Sequence, residues 1–90
     1  MSVPPRLLLL SRPGCGLCHE MAEALDVAFG ADAFELEWAD VDSRPEWKQR
    51  WGLVIPVLLD ADGRVICETR FDAARAAVML GRPLRRGQTR

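Results

Sequence analysis

Residues 7–10 are four consecutive leucines, and no other stretch constrains the fold as tightly. A strand with one face in water alternates apolar and polar residues, whereas an unbroken apolar run needs cover on both faces. Arg12-Pro13-Gly14 breaks the run. Leu7–Ser11 therefore reads as a short, central, fully buried strand of the kind found in parallel sheets. Such a strand needs helices packed above and below its sheet.

The remaining chain supplies them. Leu17, Met21, Leu25, Ala28 and Phe29 recur at helical spacing from Cys15–Gly16 to Phe29, with Gly30 as the stop. Phe34, Leu36 and Trp38 alternate with Glu35, Glu37 and Ala39, the pattern of a strand with one wetter face. Ser43-Arg44-Pro45-Glu46 matches a capping box, with Ser43 as N-cap, opening a short helix to about Arg50 that Gly52 ends. Trp47 and Trp51 lie i, i+4 on it. Ile55–Leu59 is an apolar, β-branched strand. Asp60-Ala61-Asp62-Gly63 turns the chain into a second strand, Val65–Thr69, and the pair reads as a hairpin. Asp72 opens an alanine-rich helix through Leu80, closed by Gly81 and Pro83. The order β-α-β-α-β-β-α predicts an α/β fold with a four-stranded mixed sheet and helices on both faces.

Ninety residues make one domain, 1–90, with a core over about 6–81. The formal net charge is −1, which argues against nucleic-acid or membrane-surface partners. The exception is Gly81–Arg90, with Arg82, Arg85, Arg86 and Arg90 and no acid. Residues 82–90 are expected to form a solvated, flexible tail. The leucine run is too short for a secretory or membrane-spanning segment, so the expected location is cytoplasmic and the expected state monomeric.

Three cysteines are too few for a disulfide scaffold. Two of them form Cys15-Gly16-Leu17-Cys18, where a strand hands over to a helix. The first turn of a helix has backbone N–H groups without intrahelical partners, and its dipole favours an anion. A thiolate is stabilised there, and cysteines in such sites have pKa values of roughly 3.5–7.5. Cys15 at the helix mouth is the expected nucleophile. Cys18, almost a turn deeper, is the expected resolving thiol.

Competing readings are weaker. A structural zinc site wants four ligands. The only further candidates are Cys67 and His19, and His19 lies about 100° round the helix from Cys18, so no metal is expected. Inert buried cysteines fit poorly with glycines on both sides of Cys15. Arg12 either lends positive charge to Cys15 or sits in solvent. His19 is either a proton-transfer group or a solvated neighbour, the second being the commoner case. Cys67, on the hairpin's second strand, is expected to be buried as a small hydrophobe rather than redox-active. Asp60-x-Asp62-Gly63 lacks the later ligands of a calcium loop.

With Cys15–Cys18 opening a helix after the first strand, and Ile55-Pro56 opening the third before a hairpin, the chain resembles the thioredoxin superfamily. Within it, the resemblance is to small glutaredoxin-like proteins, over nearly all of residues 6–81. It implies the thioredoxin-like fold, with Pro56 in the cis form facing the cysteines and the backbone of Ile55 pairing with a bound substrate. It also implies that Arg12 stands where glutaredoxins carry a basic residue for glutathione, and that Asp72 matches the last acid of their Gly-Gly-x-Asp-Asp segment. Glu68-Thr69-Arg70-Phe71 places side chains where that segment has glycines, and the Pro-Tyr usual between the thiols is absent.

The expected activity is thiol–disulfide exchange with protein or small-molecule disulfides, supported by a thiol electron donor. Glutathione is a candidate co-substrate, and no bound cofactor is expected. The alternatives are a non-catalytic binding module using the Ile55-Pro56 ledge, and a redox-sensing or metal-handling protein.

Overall fold

In the computed structural model, which describes residues 4–85, the leucine run forms strand β1 (Arg6–Ser11). Helix α1 (Gly16–Phe29) and strand β2 (Glu35–Asp40) complete a βαβ unit. A 3₁₀ turn (Val41–Ser43) leads into α2 (Pro45–Trp51). Strands β3 (Val57–Leu59) and β4 (Val65–Glu68) precede α3 (Ala73–Leu80). The sheet order is β2-β1-β3-β4. β1 runs parallel to β2 and antiparallel to β3, and β3 antiparallel to β4.

The alternation of side chains along β1 explains the leucines. Leu7 and Leu9 enter one core with Met21 and Leu25 of α1, Leu58 of β3 and Ala76 of α3. Leu8 and Leu10 face the other core, with Val41, Trp47, Trp51, Val57 and Leu59. α1 and α3 thus cover one face of the sheet and α2 the other. A bulge in β4 opposite Leu58 and Leu59 brings both Ile66 and Cys67 into the α1–α3 core, since an extra residue breaks the alternation. The guanidinium of Arg75 closes the free edge of β4 by donating to the Ile66 carbonyl (Nε, 2.8 Å).

Three expectations are corrected. Ser43 does not cap α2: its hydroxyl donates to the Asp40 carbonyl (2.6 Å), and Arg44 precedes the helix without a side-chain cap. Pro45 is the cause. It supplies the first helical residue, and the residue before a proline is driven to extended geometry. Arg44 accordingly has φ −133° and ψ 131°, and Ser43 stands one residue too early.

Second, β2 begins after Phe34, which is buried edge-to-face against Phe29 (5.5 Å between centroids). Trp38 is 42% exposed on this edge strand. Third, the basic segment is not all free. Arg82 lies over the Phe34 ring (5.0 Å) and Arg85 N–H donates to the Ala28 carbonyl (2.7 Å), which satisfies an end group of α1. Residues 86–90 of the expected tail lie outside the described residues. Gly81 closes α3 with φ +64°, a left-handed cap that glycine adopts without penalty.

Truncating Leu9, which is fully buried, to alanine is expected to lower the unfolding free energy by about 2–5 kcal/mol. Leu53→Ala, at a fully exposed residue, should change it by less than about 0.5 kcal/mol. Equilibrium urea unfolding compares the two. Equal losses would show that the leucine core does not carry the fold.

Candidate active site

β1 ends at Ser11, and the chain turns through Arg12–Gly14, with Cys15 N–H donating to the Arg12 carbonyl (3.2 Å). Cys15 is itself the N-cap of α1, in extended geometry. Its sulfur accepts the backbone N–H of Cys18 (3.3 Å), the place where a serine or aspartate oxygen ordinarily sits. Cys15 is half-buried, and Cys18 is 1% exposed. The two Cα atoms are 5.4 Å apart and the sulfurs lie at bonding distance. The first turn contains no acid to oppose negative charge on the Cys15 sulfur. The arrangement holds one reachable sulfur and one shielded sulfur, positioned for reversible bonding to each other.

Arg12 is not free in solvent. Its Nε and Nη2 donate to the two oxygens of Asp42 (2.8 and 3.0 Å), and its Nη1 donates to the Gly52 carbonyl (2.7 Å). The Asp42 carboxyl is held below its ordinary range chiefly by this hydrogen bond. The same bond raises the guanidinium's own pKa. Arg12 therefore ties the cysteine loop to the 3₁₀ turn and to the end of α2. Gly52 makes room for it: a side-chain carbon there would collide with the Lys48 carbonyl and press on the guanidinium at 3.1 Å.

The strand register brings the second loop to the same place. Leu10 pairs with Val57, so Ile55-Pro56 lies beside the chain leaving β1. Pro56 is fully buried, and the Ile55–Pro56 peptide is cis. Cys15, Cys18, Arg12, Ile55 and Pro56 thus gather at one end of the sheet. Leu17, between the cysteines, is 49% exposed. It lines a groove of about 340 Å³ with Met21, Phe71, Thr69, Glu20 and Arg70. On the other flank His19 packs against Trp38 (5.1 Å between ring centroids).

Asp72 stands ahead of α3. Its carboxylate caps α3 by accepting from Arg75 N–H (3.0 Å). Its own N–H donates to the Cys67 sulfur (3.3 Å). Cys67 is buried, and burial pushes its thiol pKa up. A surface hollow of about 670 Å³ runs past these two residues along β4 rather than at the cysteine pair. Asp42, Gly52 and Thr69 were not among the residues expected at the site. Asp42 is 30 residues from Arg12, and no local pattern in the sequence links them.

Residues 6–80 match the family model described as Glutaredoxin-like domain (DUF836). The chain belongs to this glutaredoxin-like family. The solution structure of protein Ne2328 from Nitrosomonas europaea is similar, with a TM-score of 0.73 and 25% identity over 88% of this chain and 94% of that one. The X-ray structure of target protein XcR50 from X. campestris is 36% identical, with a TM-score of 0.64, over 86% of this chain and 99% of that one. No curated protein matches. Within this glutaredoxin-like frame the basic residue ahead of the first cysteine is engaged by an internal carboxylate and carbonyl.

The Arg12–Asp42 link is expected to be acid-labile in a defined window. A carboxylate with a depressed folded pKa contributes stability above its unfolded pKa and loses it as pH falls through the folded value. The Asp42→Asn variant should melt below the wild type at pH 7, by a gap that stays constant down to about pH 4 and closes only under more acid conditions. Melting temperatures across pH check this, and a gap that persists unchanged in acid would remove Asp42 from the account.

Proposed function

We propose that the chain is a dithiol–disulfide oxidoreductase acting in a reducing, cytoplasmic setting. The observation that carries the reading is the Cys15 sulfur at the mouth of α1, accepting the Cys18 N–H at 3.3 Å. A sulfur held there is favoured as thiolate, and the thiolate is the attacking species in exchange.

The sequence of bonds follows. The Cys15 thiolate attacks one sulfur of a substrate disulfide, forming a mixed disulfide and expelling the other sulfur as a thiolate that takes a proton from water. Cys18 attacks the Cys15 sulfur, the Cys15–substrate bond breaks, and the second substrate sulfur leaves with the proton that Cys18 gives up. Two electrons and two protons have passed to the substrate, and the chain holds a Cys15–Cys18 disulfide. A cellular thiol donor returns it to the dithiol by the same steps in reverse. The substrates are protein or small-molecule disulfides, with glutathione as the candidate donor. The expected potential lies near the range of about −270 to −200 mV spanned by thioredoxins and glutaredoxins.

The exposed Leu17 and the shielded Cys18 support this division of labour, since an incoming disulfide meets Cys15 first. Cys18→Ser should accumulate a mixed disulfide at Cys15 when incubated with an oxidised peptide. Cys15→Ser should accumulate none. Intact-mass and peptide-mapping spectrometry read both, and the absence of any Cys15 adduct would falsify the reading.

A further inference from the structure

In the loop entering β3 the backbone is paired on both sides of Ile55. Val54 N–H donates to the Trp51 carbonyl (3.0 Å), and the Val54 carbonyl accepts from the Thr69 hydroxyl (3.1 Å). Pro56 has no N–H, and its carbonyl accepts from Thr69 N–H (2.7 Å). Between them, the N–H and carbonyl of Ile55 have no hydrogen-bond partner among the described residues. Ile55 is half-buried, with its side chain packed against the α2 core, and its unpaired N–H and carbonyl are the donor and acceptor that one residue offers to a neighbouring extended chain in a ladder.

Both bonds that flank Ile55 come from Thr69, and Thr69 makes them in an unfavourable conformation. Its φ is +67°, a left-handed geometry that is a genuine outlier for a β-branched residue. Glycine would adopt it freely but has no hydroxyl to reach Val54. Strained backbone of this kind persists only where its surroundings hold it. Here the two hydrogen bonds to the Val54 and Pro56 carbonyls do so. Thr69 also lines the groove that Leu17 enters from between the cysteines, so the clamp and the cysteine loop share one surface.

We propose that Thr69 is a positioning residue for the disulfide substrate, holding the carbonyls on either side of Ile55 so that the Ile55 N–H and carbonyl remain available to the substrate's backbone. The proposal rests on the oxidoreductase reading of Cys15 and Cys18. The hydroxyl, rather than the backbone conformation alone, is the element that separates threonine from glycine at this position.

The test uses an unstructured peptide closed by one disulfide as oxidant, with Thr69→Ser, Thr69→Val and Thr69→Gly beside the wild type. Valine and glycine both remove the hydroxyl, but valine keeps the β-branched backbone strain and glycine relieves it, and glycine guards against a valine variant that fails to fold. Both should raise KM for the peptide about three- to tenfold, the scale of one lost hydrogen bond. Serine should stay within about twofold of the wild type. The alkylation rate of reduced Cys15 reports the thiolate separately and should be the same in all four. A fall in kcat at unchanged KM, as loss of folded protein would give, overturns the proposal. So does a valine–glycine pair that moves in opposite directions. With the Cys18→Ser background added, a Cys15–peptide adduct that forms equally well in all four proteins overturns the clamp alone. An adduct that forms in none overturns the oxidoreductase reading and the clamp with it.

Discussion

Burial of β1 and β3 on both faces is the constraint from which the rest of the architecture follows. Leu9, Leu10, Val57 and Leu58 are all shielded from solvent, so neither face of the sheet's centre can be left to water. α1 and α3 cover one face and α2 the other. Because β1 and β2 are parallel, the connection between them must cross over the sheet, and α1 is that crossover. A crossover helix starts where the strand's carboxyl end stops. The mouth of α1 is therefore fixed at one end of the sheet before any chemistry is considered. β3, antiparallel to β1, begins at that same end, which is why a loop distant in sequence arrives beside the cysteines.

The loops at that end are then locked by polar contacts added to packing. Arg12 reaches across to Asp42 and Gly52, and Thr69 reaches across to Val54 and Pro56. One joins the cysteine loop to the loop entering β3, and the other joins that loop to the end of β4. Through Asp42 and Gly52, Arg12 acts as a strap. The Cys18 N–H of α1 points at the Cys15 sulfur. Peptide dipoles need no counter-ion and are not lost when a neighbouring side chain titrates.

What was legible in the sequence was whatever local chemistry decides. The leucine run, the helical spacing from Leu17 to Phe29, Asp72 as a cap and the Asp60–Gly63 turn each act over a few residues, and each forms as expected. The site's centre was legible for the same reason, since Cys15 and Cys18 sit on one helical turn. What the sequence hid was either non-local or a contest between two local rules. Pro45 overrode the capping pattern of Ser43 and Glu46. The β4 bulge depends on pairing with β3. The Arg12–Asp42 pair closes only once β1 and the 3₁₀ turn are side by side. Thr69 violates its own backbone preference, so residue propensity points away from what it does.

The contrast between two sulfurs shows why position alone does not make a reactive site. Cys15 and Cys67 each accept a backbone N–H at 3.3 Å close to the start of a helix. Cys67 lies in the core between β4 and α3, where burial raises its pKa, the Asp72 backbone hydrogen bond opposes the shift, and the nearby Asp72 charge adds to it. Desolvation penalises the thiolate more than one hydrogen bond favours it, and Cys67 is only 4% exposed. Cys67 is thereby a packing residue that happens to carry sulfur. Cys15 has the same kind of hydrogen bond but keeps part of its surface in solvent, at the edge of a groove and beside an unpaired strand-like backbone. A helix-start N–H and an approach from solvent coincide at that one sulfur, and their coincidence follows from where β1 has to end.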